Sequence, residues 1–114
     1  MHEMGVVLNV VNALEQYAAE NQIPEIKGVA MEIGEVSSVV PNYFASCWYP
    51  AVARSRCLLN AELTMEVIPG LAKCYPCGEE FNIAANDGKC PKCGSEHWET
   101  LSGREVMIKE IYVE

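Results

Sequence analysis

Two short repeats, Cys74-Tyr-Pro-Cys77-Gly78 and Cys90-Pro-Lys-Cys93-Gly94, constrain this chain more than any other feature. Two residues between cysteines let both sulfurs of a tight turn face one ion. The glycine that follows supplies a turn conformation that other residues resist. Four sulfurs held by two such knuckles form a tetrahedron that suits Zn(II), in a closed structural site with no position left for substrate. The surrounding stretch, Gly70–Gly103, shows no sustained apolar periodicity. Segments shorter than about 40 residues rarely fold without a metal or disulfides, so a zinc affinity of roughly 10–16 kcal/mol would serve as folding energy here.

The same four sulfurs leave two other chemistries open: iron, as in a rubredoxin-like electron carrier, and a redox dithiol or disulfide pair. Six cysteines in 114 residues fall below the density of a disulfide scaffold. Their pairing into knuckles favours metal and a reducing, cytoplasmic compartment. Cys47 and Cys57 lie outside the cluster, and no histidine stands near either to build a nucleophile. Cys47 reads as a small buried apolar residue.

Charge removes further classes. The net charge of −8 opposes counterion displacement on DNA or RNA. The cysteine region is itself acidic, with Lys73, Lys89 and Lys92 against Glu79, Glu80, Asp87, Glu96 and Glu99. No nucleic-acid partner is expected. The first 26 residues contain no Lys or Arg, so no basic leader region is expected. The longest uncharged run, Val36–Ala53, is broken by Pro41 and Pro50, which speaks against a membrane span. No nucleophile motif or open metal position suggests an enzyme.

Periodicity predicts an α+β fold. Met4, Val7, Leu8, Val11, Leu14 and Ala18 follow helical spacing, and the Asn21–Pro24 region ends that helix. A strand follows over about Lys27–Gly34. A second helix begins near Pro41, with Phe44, Cys47, Trp48 and Ala51 on one stripe and Pro50 expected to kink or shorten it. Ala61, Leu63, Met65 and Val67 mark a half-buried strand, and Glu105–Val113 is strand-like again. The expected architecture is a small mixed α/β domain, two helices on a roughly three-stranded sheet, spanning residues 1–69 and completed by a C-terminal strand at 104–114. A zinc ribbon at 70–103 is inserted between its strands.

The amino terminus carries a second constellation, Met1-His2-Glu3. There the α-amine, the His2 peptide nitrogen and the His2 imidazole can close two adjacent chelate rings. Glu3 adds a carboxylate or its own amide nitrogen as a fourth donor. A planar set of nitrogens is a Ni(II) or Cu(II) geometry, for which zinc has no preference. These donors must lose protons to bind, so affinity should weaken as pH falls.

Taken together, Met1-His2-Glu3, then Met31-Glu32-Ile33-Gly34-Glu35-Val36-Ser37, the paired knuckles, and Gly103-x-Glu105 leading into Ile108–Glu114 resemble the HypA/HybF family of hydrogenase nickel-incorporation proteins over the whole length. The resemblance implies a nickel metallochaperone, not an enzyme. It would carry Ni(II) to the large subunit of nickel–iron hydrogenase, in some organisms also serving urease, beside a partner GTPase of the HypB type. It implies nickel at His2 and Glu3, and structural zinc at Cys74, Cys77, Cys90 and Cys93. Some members carry a histidine after a knuckle. Gly78 and Gly94 stand there in this chain, so a plain four-sulfur site is expected. His97 is a further candidate nickel ligand, and an exposed edge strand offers a route to a homodimer. A zinc-ribbon adaptor without a nickel role is the competing reading.

Overall fold

The computed structural model describes residues 2–114. The first helix, α1 (Glu3–Glu20), is followed by β1 (Gly28–Gly34), α2 (Pro41–Val52), β2 (Glu62–Ile68), β3 (Leu71–Cys74), β4 (Glu80–Asn82), a 3-10 turn (Ala84–Asn86), β5 (Trp98–Ser102) and β6 (Val106–Tyr112). They form two three-stranded sheets, ordered β2-β1-β6 and β4-β3-β5. The radius of gyration is 17.3 Å and the long axis 54 Å. A single globule of this length would have a radius near 13 Å, so the chain is two packed bodies joined end to end.

In the larger body the helices cover one face of the sheet. Val7, Val11, Leu14 and Ala18 of α1 and Phe44, Trp48 and Val52 of α2 bury against Val29, Met31 and Ile33 of β1. The α1 stripe is rotated from the expected one. Met4 and Leu8 are exposed, at 43% and 45%, and Glu3 takes the first buried position at 2%. Pro41 starts α2 as expected, but Pro50 does not end it: the helix runs on to Val52. Pro50 lies on the exposed face of the last turn, so its ring meets solvent and little of the hydrogen-bond ladder remains to be lost. Val52 replaces Ala51 as the last fully buried residue of the stripe, and Val67, at the end of edge strand β2, stays 50% exposed.

Strand β1 pairs parallel with β2 and antiparallel with β6. The β6 register shifts between Ala30↔Glu110 and Met31↔Ile108, leaving Lys109 as the extra residue of a bulge. That shift brings Val106, Ile108 and Ile111 to the helix-covered face, where all three are half-buried.

The chain leaves this sheet after β2 and returns at β6, so both crossings meet at one junction. There Glu35 N–H donates to Ile68 O (2.8 Å), Val36 N–H to Gly103 O (2.9 Å) and Gly34 N–H to Glu105 O (2.8 Å). Gly103 has φ +86°, and a β-carbon on it would lie 2.5 Å from the Gly70 Cα. A β-carbon on Gly34 would lie 2.1 Å from Gly103 O. Only glycine fits both positions.

Gly103→Ala is expected to destabilise the protein by about 1–3 kcal/mol, the cost of a side chain in left-handed backbone, and by more once the Gly70 contact must part. Urea unfolding of the zinc-loaded protein measures it; an unchanged midpoint would show that the junction yields freely.

Candidate functional site

The two knuckles close with the same hydrogen bonds. Gly78 N–H donates to Cys74 O (2.9 Å) and Cys74 N–H to Glu79 O (2.8 Å); Gly94 N–H donates to Cys90 O (2.8 Å) and Cys90 N–H to Ser95 O (2.9 Å). Gly78 and Gly94 have φ of 76° and 77°, the left-handed turn the sequence called for. Cys74 ends β3, which fixes the first knuckle to the ribbon sheet. The second is held by the Phe81–Trp98 edge-to-face contact, with ring centroids 6.2 Å apart, and by Trp98 Nε1–H donating to Gly88 O at 2.8 Å.

The four sulfurs of Cys74, Cys77, Cys90 and Cys93 lie within 4.8 Å of one another. Cys74 and Cys93 are 3.5 Å apart and Cys77 and Cys90 3.6 Å. A tetrahedron of thiolates about 2.3 Å from Zn(II) has edges of about 3.8 Å, whereas a disulfide needs about 2.05 Å. The donor set therefore fits a four-thiolate zinc site and not a pair of disulfides. Burial pushes the Cys74 thiol up to about 12. At Cys90 burial is again the largest influence and acts in the same direction, but the N–H groups of Cys93 and Lys92 and the Cys77 and Cys74 thiols together outweigh it and bring that thiol down to about 7. Crowded thiolates in such a pocket need a cation among them. His97 lies outside this group; it is exposed in the strand-entry turn, its N–H donating to Ser95 Oγ at 3.0 Å. Cys47 is buried in the core of the larger body, as a small apolar residue should be, and Cys57 is half-buried, its sulfur 3.7 Å from Ser55 Oγ.

At the other candidate site, the α-amine of Met1 lies outside the described residues. His2 is exposed and precedes α1, its carbonyl accepting the first helical bond from Val6 N–H at 3.0 Å. Glu3 follows on the buried face. Its Oε2 accepts a hydrogen bond from Val40 N–H at 3.1 Å. Val40 is the N-cap of α2 and offers no capping side chain of its own, so Glu3 ties the starts of the two helices together. That bond and the one from its own N–H hold the Glu3 carboxyl below the usual carboxylate range. The sequence reading took Glu3 as a candidate metal donor and missed this brace; the signal was its place four residues before Val7 on the apolar stripe.

A second carboxylate, Glu35, stood in the Met31–Ser37 motif without a role assigned to it. Glu35 Oε1 accepts from Gly70 N–H (2.9 Å) and from Asn82 Nδ2 (3.0 Å), so it reaches from the larger sheet to the inserted one. Those two donors lower its pKa. Beside the junction, a cleft of about 380 Å³ gathers Glu32, Arg104 and Glu105, with no cysteine or histidine in its lining. Among the described residues no helix is long and apolar enough to cross a membrane.

Comparison with known proteins agrees with this geometry along the whole chain. Residues 1–113 match the family described as hydrogenase/urease nickel incorporation, metallochaperone, hypA. A hydrogenase maturation factor HypA of Geobacter metallireducens is 36% identical over 114 residues, covering all of both chains. One from Nostoc is 37% identical, covering all of this chain and 96% of that one. The solution structure of the Ni metallochaperone HypA from Helicobacter pylori superposes with a TM-score of 0.74 at 27% identity, covering 99% of this chain and 97% of that chain. A second solution structure, of a HypA protein, gives 0.73 at 28% identity, covering 100% and 97%.

An ionised Glu3 stabilises the fold where its carboxyl is charged. Its pKa is lowered in the folded state, so that contribution is present above the ordinary carboxylate value of about 4.3 and is lost as pH falls through the folded one. The stability deficit of Glu3→Gln is therefore expected to be largest near neutrality and to shrink on acidification. Denaturation midpoints at a series of pH values test this, and parallel curves for the two proteins would contradict it.

Proposed function

The chain belongs to the HypA family of hydrogenase/urease nickel-incorporation metallochaperones, and on that premise we propose that it carries Ni(II) at its amino terminus and keeps Zn(II) as a structural ion in the ribbon. One observation carries the reading. The soft thiolate donors are gathered in a single closed cluster, while His2 stands exposed at the head of α1, away from that cluster in sequence and in element. A cargo ion needs a site that opens, and a structural ion needs one that does not.

The cargo site works through nitrogen. The His2 imidazole and the peptide nitrogens of His2 and Glu3 supply the donors that Ni(II) prefers in a plane. Both amides lie ahead of the first intrahelical bond, Val6 N–H to His2 O, so losing their protons leaves the helix ladder intact. Glu3 contributes its amide, or its carboxylate once the Val40 bond is released. Because nickel displaces protons, acid returns them to the nitrogens and releases the ion. In the ribbon, Cys74, Cys77, Cys90 and Cys93 would hold zinc, which supplies the cohesion that Ala72, Phe81 and Ile83 alone cannot.

In this reading residues 1–69 and 104–114 form the nickel domain and 70–103 the zinc domain. The protein is a carrier, not a catalyst, and acts in the cytoplasm. Its clients are the hydrogenase large subunit, and urease where present, with a HypB-type GTPase assisting transfer. The unpaired edges of β2 and β6 provide the contact for a homodimer.

Metal analysis and nickel titration of tag-free protein test the reading. One zinc and one nickel per chain are expected. His2→Ala should lose the nickel and keep both the zinc and the fold. Cys74→Ala should lose zinc and the β4-β3-β5 sheet while the larger body stays folded. Equal nickel binding by wild type and His2→Ala would overturn the ligand assignment. Zinc without any nickel binding would leave the ribbon adaptor as the better account.

A further inference from the structure

The two ends of one short loop touch the two candidate metal-bearing bodies. The segment from Glu35 to Val40 joins β1 to α2 in six residues. At its start, the Glu35 carboxylate takes hydrogen bonds from Gly70 N–H (2.9 Å), at the entry to the ribbon, and from Asn82 Nδ2 (3.0 Å), on ribbon strand β4. Val36 donates its N–H to Gly103 O at 2.9 Å and packs its side chain on the ribbon core of Ala72, Phe81 and Ile83. At its end, Val40 N–H donates to the Glu3 carboxylate at 3.1 Å, next to His2.

Between these ends the loop has little slack. Ser37 N–H donates to Gly34 O at 3.0 Å, Val39 N–H donates to Ser37 Oγ at 3.3 Å, and the Val39 side chain is 8% exposed in the core of the larger body. Ser38 has φ +73°, a conformation that a serine holds only when its surroundings impose it. A segment pinned at five of six positions passes displacement on instead of absorbing it.

We propose that Glu35 is a positioning residue for the nickel terminus: by clamping Gly70 and Asn82 it sets the loop that presents Val40 N–H to Glu3, so the seating of the ribbon fixes the geometry of the amino-terminal donors. This rests on the reading that nickel binds at His2 and Glu3. Glu35 is not itself a ligand. The hydrogen-bonded order is Asn82 and Gly70 to Glu35, through the loop backbone to Val40, then to Glu3. The zinc cysteines lie in the same ribbon core on which Val36 packs, so ribbon order reaches the nickel end by a path of contacts within this chain.

The test works from the far end of the relay. Asn82→Asp keeps the side-chain oxygen that accepts Ala85 N–H at 2.8 Å, but places a carboxylate against Glu35 in place of a donor. In zinc-loaded, tag-free protein this substitution is expected to shift the Val40 amide resonance before any nickel is added. It should also weaken nickel binding by about 3–30-fold, the range of coupling through packed networks. The double variant Asn82→Asp with Glu35→Gln restores a donor–acceptor pair, since the Glu35→Gln amide can accept from Gly70 and donate to the new carboxylate. Both the resonance and the affinity should return toward wild type. A merely structural loss would not be rescued by the second substitution.

An unmoved Val40 resonance in Asn82→Asp, with zinc retained, would overturn the relay whatever nickel does. A shifted resonance with unchanged nickel affinity would overturn the positioning role. If wild type binds no nickel, the amino-terminal reading fails, while the Val40 shift and its rescue still decide the mechanical path. Glu35→Ala, read by the same resonance, replaces Asn82→Asp if that variant does not fold.

Discussion

Three backbone segments meet where the ribbon leaves and re-enters the larger sheet, and they meet without room for a β-carbon between Gly34, Gly103 and Gly70. An insertion joined by two flexible tethers would tumble freely. This one is fastened by main-chain bonds from Gly34, Glu35 and Val36 and by the Glu35 carboxylate. The ribbon's poor apolar content becomes tolerable for the same reason: Val36, from the other body, packs on its core and lends apolar surface it lacks. The elongated outline, 54 Å by 25 Å by 18 Å, follows from an end-to-end join that holds the two bodies in register.

In the proposed reading the two metals are kept apart by donor chemistry. If soft thiolates and an exposed imidazole shared one pocket, any borderline divalent ion would take the tightest mixed set. Gathering four sulfurs in a cluster less than 5 Å across commits them to one another. In the proposed reading this leaves the head of α1, outside the sulfur cluster, to nitrogen donors, whose planar preference would discriminate against zinc on geometry.

How much of this was legible in the sequence varies with how local the cause is. The knuckles were fully readable, since two intervening residues and a glycine determine turn and donor direction without help from elsewhere. The α+β class, the start of α2 at Pro41 and the three-stranded sheet under two helices also followed from periodicity and Pro position. The bulge in β6 was present as an irregular spacing: Val106 to Ile108 is two residues and Ile108 to Ile111 is three, and only an extra residue at Lys109 puts all three on one face. Glu3 and Glu35 were the harder cases. A carboxylate on an apolar stripe reads as an error of period until its acceptor role is known, and the donors involved, Val40 N–H and Gly70 N–H, are backbone groups that no side-chain pattern announces. Long-range bonds of 35 and 37 residues in separation are properties of the fold.

The head of a helix is an unusual place for a cation, because the unsatisfied N–H groups there carry partial positive charge and ordinarily recruit anions. For the proposed nickel site the contradiction resolves at the level of individual groups. Amide nitrogens that have lost their protons are anions themselves, and the ones nearest the end are those the helix ladder does not use. Glu3 sits in the first turn with its carboxyl held ionised, which offsets the dipole at the position where the incoming charge would be. The same carboxylate accepts from Val40 N–H, so in the proposed reading the negative charge that would receive nickel is also the group that aligns α2. If nickel binds there, loading the terminus and bracing the two helices would draw on one side chain, and neither would change without the other registering it.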